Sequence, residues 1–343
     1  MAVVGFSSPR AGGGWRAGLA CAVVLGAAAG LACGSGPSDA PTTAEPRPFP
    51  IEQGGVDARE LPYEPCAPEL AVATFSIRLA SDFTSVDGSV RDGVLPAQVP
   101  TELAREGDCR LLELVANRCA PGCRASDEVC AMDQTCVPAP AAHDVGIVSV
   151  TGLVIPLAMR ANAVTHRYTN PALPALPHPG FVPGADLRLG TSGGDYAPFV
   201  LRGWGVSALE LEPAPIRVNA GAPVVFAWRA PEDPGPARLH VKLAINHHGS
   251  TGASIECDFA DAGSAEIPAA LVDGLIEKGT SGFPTLEVSR RTAGSVAIEP
   301  GCAQLLVSSD VEASVEVDGI ISCHTSAECP SGQSCLPVEL FCQ

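Results

Sequence analysis

The chain has 343 residues and a formal net charge of -17, with aromatic residues at only 5%. A chain this acidic gains nothing from phosphate contacts, which argues against nucleic-acid binding, and it is repelled by anionic headgroups. Fourteen cysteines exceed what a reducing compartment maintains and point to an exported, oxidised protein.

The first 32 residues carry Arg10 and Arg16 and no acid, and Gly18 to Ala32 is uncharged. This short, Ala- and Gly-rich stretch reads as a secretory signal rather than a membrane-spanning helix. It ends Gly30-Leu31-Ala32-Cys33, which resembles a lipobox, the site at which bacterial lipoproteins are acylated on cysteine and cleaved just before it. Cys33 is therefore the expected lipidation site, and residues 33–60, Gly/Pro-rich and poor in apolar side chains, the expected flexible tether. Attachment to the membrane then depends on the lipid, at the outer membrane or cell surface.

A first β domain is expected over 61–168. Thr74 to Leu79 alternates strictly, with Phe75, Ile77 and Leu79 on one face. Val86 to Val90 and Asp144 to Met159 give further strand signals, with a cysteine-rich insertion near 109–136. Residues 169–185 read as a Pro-rich connector, because the five prolines between Asn170 and Pro183 disfavour both helix and central strand. A second β-sandwich domain is expected over 186–322. Val224 to Trp228 is one strand. Arg238 to Ile245 is another, with Leu239, Val241, Leu243 and Ile245 inward and Arg238, His240 and Lys242 outward. Leu286 to Val288 and Val311 to Val317 repeat the pattern, the latter as a closing strand. Pro268 to Lys278 is a short helix with Gly279 at its end. The expected fold class is all-β: two antiparallel sandwich-like domains, the second of immunoglobulin-like type, with small disulfide-rich modules.

Two cysteine clusters stand out. Cys119, Cys123, Cys130 and Cys136 follow C-x3-C-x6-C-x5-C, and Cys323, Cys329, Cys335 and Cys342 follow C-x5-C-x5-C-x6-C, the latter forming the terminal module 323–343. Zinc sites use two closely spaced cysteine pairs, which neither cluster has, so disulfides are expected and no metal or cofactor is assigned. Within the terminal module alternating pairing is expected, Cys323 with Cys335 and Cys329 with Cys342. Cys66 with Cys109 and Cys257 with Cys302 would complete one bridge per domain. The run Cys323-His324-Thr325-Ser326-Ala327-Glu328-Cys329-Pro330-Ser331-Gly332-Gln333-Ser334-Cys335 resembles the cysteine modules of uncharacterised myxobacterial-type lipoproteins, and more loosely the Dickkopf-type cysteine-rich motif. Asp144-Val145-Gly146 and Ile255-Glu256-Cys257-Asp258 are similar to segments of the same group. The resemblance implies a lipoprotein and carries no known activity.

Two patterns suggest catalysis. Gly190-Thr191-Ser192-Gly193-Gly194 matches G-x-S-x-G and resembles the serine loop of trypsin-like proteases, with Ala141-Ala142-His143 as a histidine counterpart. A nucleophile elbow needs a helix after the serine, and Asp195-Tyr196-Ala197-Pro198 follows instead. The His143–Ser192 gap of 49 residues is too short for two barrels, which need on the order of 140. His247 and His248 with Asp258 and Asp261 could hold a divalent ion, but adjacent residues on a strand face opposite ways. The sequence thus predicts a non-catalytic, lipid-anchored surface protein that acts as a binding or structural envelope module, with envelope proteins or glycans as expected partners. The alternative is a secreted hydrolase built on Ser192 or on the His/Asp metal site.

Overall fold

A computed structural model describes residues 45–343 except 53, 97–98, 115–118, 121, 126, 132, 173–174 and 247–251. The signal-like segment and Cys33 lie outside the described residues. So do His247 and His248.

The fold is all-β with cysteine-rich modules. Four N-terminal strands, β1 (Ala71–Leu79), β2 (Thr84–Val90), β3 (Thr101–Glu106) and β4 (Cys109–Leu114), precede a small hairpin of β5 (Glu128–Cys130) and β6 (Cys136–Pro138). Then come β7 (Val148–Thr151), β8 (Leu157–Met159), β9 (Tyr168–Thr169), β10 (Asp186–Thr191) and β11 (Val200–Trp204). The second half holds β12 (Ile216–Val218), β13 (Val224–Ala227), β14 (Arg238–Ala244), β15 (Gly252–Ala260), β16 (Ser264–Ile267), α1 (Ala269–Glu277), β17 (Thr285–Ile298) and β18 (Gly301–Val317).

These strands do not sort into two sequential domains. A ten-stranded sheet runs β3-β4-β15-β14-β17-β18-β1-β2-β9, with β12 also paired to β18, so strands expected in 61–168 and in 186–322 share one sheet. The pairings are antiparallel except β1–β18 and β12–β18, which are parallel. Val311 to Val317, expected to close a sandwich, is the end of the 17-residue β18, which lies centrally between β17 and β1. The sandwich-like layering therefore consists of one large sheet shared by both halves with smaller sheets packed against it.

Two cores nonetheless form on one face of this sheet. Alternation assigns the odd residues of β18 inward: Ala303, Leu305 and Val307 enter the first core, and Val315 and Val317 the second. The first core is covered by a four-stranded sheet, β11-β10-β7-β8. The expected connector 169–185 belongs here: β9 pairs with β2, and Phe181 is buried in the first core. Its prolines let the chain wrap an end of the core without needing ladder hydrogen bonds. Gly88 stands opposite Phe75, where a Cβ would fall 2.1 Å from the ring, so only glycine admits it.

The second core is covered by the β13–β16 pair and by α1. Pro268 caps α1, Leu271, Val272 and Leu275 point inward, and Gly279 at φ +95° ends the turn. Leu239, Val241, Leu243 and Ile245 are all fully buried, as their alternation implies.

Between the cores sits Arg290, on the inward face of β17 opposite Ser309. Its Nε donates to Asp261 Oδ2 at 2.5 Å, its Nη1 to Ala208 O at 2.8 Å and its Nη2 to Arg229 O at 2.8 Å. Trp228 Nε1 donates to Asp261 Oδ1 at 2.6 Å. A buried charge is tolerated only when paired and hydrogen-bonded in this way.

The described part of the expected tether, from residue 45, is fixed rather than flexible. Phe49 N–H donates to Ser149 Oγ at 3.2 Å, Arg188 Nη1 to Glu52 O at 2.6 Å and Arg202 Nη1 to Val56 O at 2.9 Å. Ile51 and Ala58 are buried. Side-chain donors on the four-stranded sheet supply partners that the low apolar content of this segment does not reveal.

Six disulfides cross-link the described residues. The terminal module pairs Cys323–Cys335 and Cys329–Cys342, the alternation expected from sequence, and the first cluster pairs Cys119–Cys130 and Cys123–Cys136. The other four described cysteines correct the expectation: Cys66 joins Cys302 and Cys109 joins Cys257. Bridges confined to each half were expected because two sequential domains were expected. In the shared sheet Cys109 lies directly across from Cys257.

Candidate functional site

Among the described residues, no layer of strands covers the other face of the ten-stranded sheet. Alternation puts Arg110 of β4, Glu256 and Asp258 of β15, Arg238 and His240 of β14, and Ser289 and Arg291 of β17 on it. Register aligns these into rows. Asp258, His240, Ser289 and Asp310 are successive cross-strand neighbours, and Arg238, Arg291, Ser308 and Arg78 form the next row.

The Cys66–Cys302 bridge ties the segment before β1 across this face. Cys66 N–H also donates to Gln304 Oε1 at 2.9 Å, and Glu64 N–H to Ala293 O at 2.9 Å. This wall encloses a cavity of about 780 Å³ over β14, β15 and the β3–β4 turn. A second hollow of about 580 Å³ continues over β17, β18 and β1, and the two share His240, Arg291 and Leu306. Together they make one polar groove across the sheet.

At the junction three side chains converge on Asp258 Oδ1. Tyr63 OH donates to it at 2.8 Å, His240 Nδ1 lies at 3.1 Å and Arg291 Nη2 at 3.3 Å. Arg291 Nε donates to Tyr63 OH at 2.7 Å, and Arg238 Nη2 donates to the Asp258 carbonyl. Burial opposes ionisation of Asp258. The His240 hydrogen bond, the charges of His240 and Arg291 and the Tyr63 hydrogen bond outweigh it, holding the carboxyl well below the usual carboxylate range. Burial, reinforced by Asp258 against Arg291, pushes the Tyr63 phenol up to about 12. A carboxylate only accepts, so His240 donates from Nδ1.

Sequence reasoning placed His240 as a merely solvated residue and did not single out Tyr63, Arg110, Arg238 or Arg291. The alternation of Arg238, His240 and Lys242 did mark the outward face. What it lacked was the neighbouring strand.

The Ser192 grouping assembles only in part. His143 Nδ1 is 3.0 Å from Asp195 Oδ2, and its Nε2 is 3.5 Å from Asp92 Oδ2. Ser192 Oγ instead accepts the Ile147 N–H at 2.8 Å, and no hydrogen bond joins it to His143 among the described residues. Gly190 and Thr191 close strand β10, and Gly193 turns at φ +86°. Asp258 and Asp261 are not brought together, since Asp258 faces the groove while Asp261 is buried with Arg290.

In each cysteine module three sulfurs lie within 4.8 Å of one another, because two disulfides abut. The modules also share a pattern. Cys123-x6-Cys130-x5-Cys136-Val137-Pro138 matches Cys323-x5-Cys329-x5-Cys335-Leu336-Pro337, and each joins its first cysteine to its third. The middle cysteine pairs upstream with Cys119 in one and downstream with Cys342 in the other.

No protein-family model matches this chain, and no curated protein matches it.

Proposed function

We propose that this is an exported bacterial surface protein, anchored by a lipid on Cys33, that binds envelope components through the groove on the open sheet face. The observation that carries the reading is the groove itself: a concave surface whose central groups are held in place by one another. Such pre-organisation lowers the ordering cost of binding. Four side chains gather around Asp258, and the Ser289 hydroxyl beside His240 donates to Asp310 Oδ1 at 2.6 Å, which favours recognition over covalent chemistry. The export reading rests on the uncharged N-terminal stretch, the Leu31-Ala32-Cys33 ending, the six disulfides and the resemblance to myxobacterial-type lipoproteins.

Two measurements test it. The intact mass of the mature N-terminus is expected to show a lipid-modified Cys33; an unmodified N-terminus removes the anchor. A soluble Cys33→Ser form is expected to sediment with isolated envelopes, and Arg110→Glu in the groove is expected to weaken this. Equal sedimentation of the variant removes the groove from the function.

A further inference from the structure

We infer that the groove takes an acidic oligosaccharide, gripping a carboxylate with Arg110 and Arg238. This rests on the groove being a binding site and specifies what binds there.

Charge is the first argument. The chain is strongly acidic overall, yet the larger cavity gathers Arg105, Arg110, Arg238 and Arg291. Two of these charges are consumed locally. Arg291 pairs with Asp258, and Arg105 holds Glu102 through two hydrogen bonds, at 2.9 and 2.7 Å. Arg110 forms no ion pair and no side-chain hydrogen bond among the described residues, although it is half-buried and lines the cavity. Arg238 gives one donor to the Asp258 carbonyl, and the one carboxylate within 4.0 Å of it among the described residues, that of Asp108, stands 3.9 Å away and is mostly exposed. Two guanidinium groups therefore face the cavity with donors to spare, and a planar fork of donors suits a carboxylate. Glu256, opposite Arg110 in the strand register, and Asp108 also line this cavity and weaken the field, while Asp258 is engaged by Tyr63, His240 and Arg291.

The character of the floor is the second argument. Thr74, Gln304, Ser76, Ser289 and Ser308 supply hydroxyl and amide groups, each both donor and acceptor, in reach of the same groove. Sugar hydroxyls need this mixture. An extended peptide is a poorer fit because the groove lies on a sheet face. The backbone groups of β14, β17 and β18 are already paired on both sides, so no strand can be added there.

The test is titration of the full exported chain with a short oligogalacturonate and with its methyl ester, a neutral isostere. The acid is expected to bind and the ester to bind at least about tenfold more weakly, the effect of losing charge-assisted hydrogen bonds. Arg110→Ala combined with Arg238→Ala is expected to erase that difference. Glu256→Gln is expected to tighten acid binding. Arg217→Ala, which breaks an exposed pair with Glu316 outside the groove, is expected to change nothing. Equal binding of acid and ester, with Arg110→Glu still weakening envelope sedimentation, overturns the acidic ligand and leaves the groove as a site. Inorganic phosphate competing as well as galacturonate, or an acidic peptide binding as well as the oligosaccharide, overturns the saccharide. A double variant that binds the acid like the parent overturns the roles of Arg110 and Arg238.

Discussion

Arg290 and Arg291 are neighbours on β17, and each pairs with an aspartate near the end of β15, yet the two pairs do opposite work. Arg290 points between the two cores, where its side chain is 2% exposed and that of Asp261 is 0% exposed. Arg291 points outward to Asp258, where the corresponding values are 18% and 29%. The inner pair is enclosed and finished by backbone carbonyls, Ser207 and Trp228. The outer pair leaves donors and a histidine nitrogen on a groove. One residue of strand register thus separates a structural junction from a candidate binding surface.

The largest expected effect concerns the bridges that serve the two faces. Cys109–Cys257 lies in the second core, while Cys66–Cys302 clamps the groove wall. Their sequence separations are 148 and 236. Removing either is expected to cost on the order of 5 kcal/mol on chain-entropy grounds. Cys109→Ala with Cys257→Ala is expected to cost more than Cys66→Ala with Cys302→Ala, because it also leaves a cavity in packed surroundings. Denaturant unfolding of the two double variants checks the order, and a reversal would mean that the groove wall contributes more to the fold than the inner core position does.

The inner and outer aspartates come next. Asp261→Ala leaves Arg290 charged, buried and unpaired, and is expected to destabilise the protein by about 3–5 kcal/mol. Asp258→Asn on the outer face is expected to cost about 2 kcal/mol, the scale of a hydrogen bond to a charged group. Equal losses in urea unfolding would break the contrast between the faces.

Acid sharpens the same comparison. Because the folded pKa of Asp258 is depressed, its contribution is complete above its unfolded value of about 3.9. That contribution is lost as the pH falls from there through the folded value. The parent is therefore expected to lose stability below about pH 4 more steeply than Asp258→Asn. Parallel acid limbs in the two proteins would remove Asp258 from the linkage.

The smallest effect is expected from ending the chain after Ser322. The terminal module touches the 281–283 turn through stacking of His324 on Phe283 at 4.3 Å between centroids and through Gly282 N–H donating to Glu339 O at 2.6 Å. Their loss is expected to cost about 1–2 kcal/mol. A much larger drop in melting temperature would make the module a staple of the second core.

Sequence by itself determined the local elements. Phe75, Ile77 and Leu79, and Leu239 through Ile245, announced strands and their buried faces, because a period of two is written directly in the residues. Pro268 and Gly279 bounded α1, and close spacing confined the terminal cysteines to one another. Tertiary structure decided what strand propensity does not encode, namely which strand lies beside which. The parallel pairing of β1 with β18 joins Phe75 to Leu305 across most of the chain. That pairing and the pairing of β4 with β15 merged two expected domains into one sheet and redirected Cys66 to Cys302 and Cys109 to Cys257, while the register of β15, β14 and β17 brought Arg291 to Asp258. Alternation tells a side chain which face it occupies, whereas only long-range register tells it which neighbours it meets there.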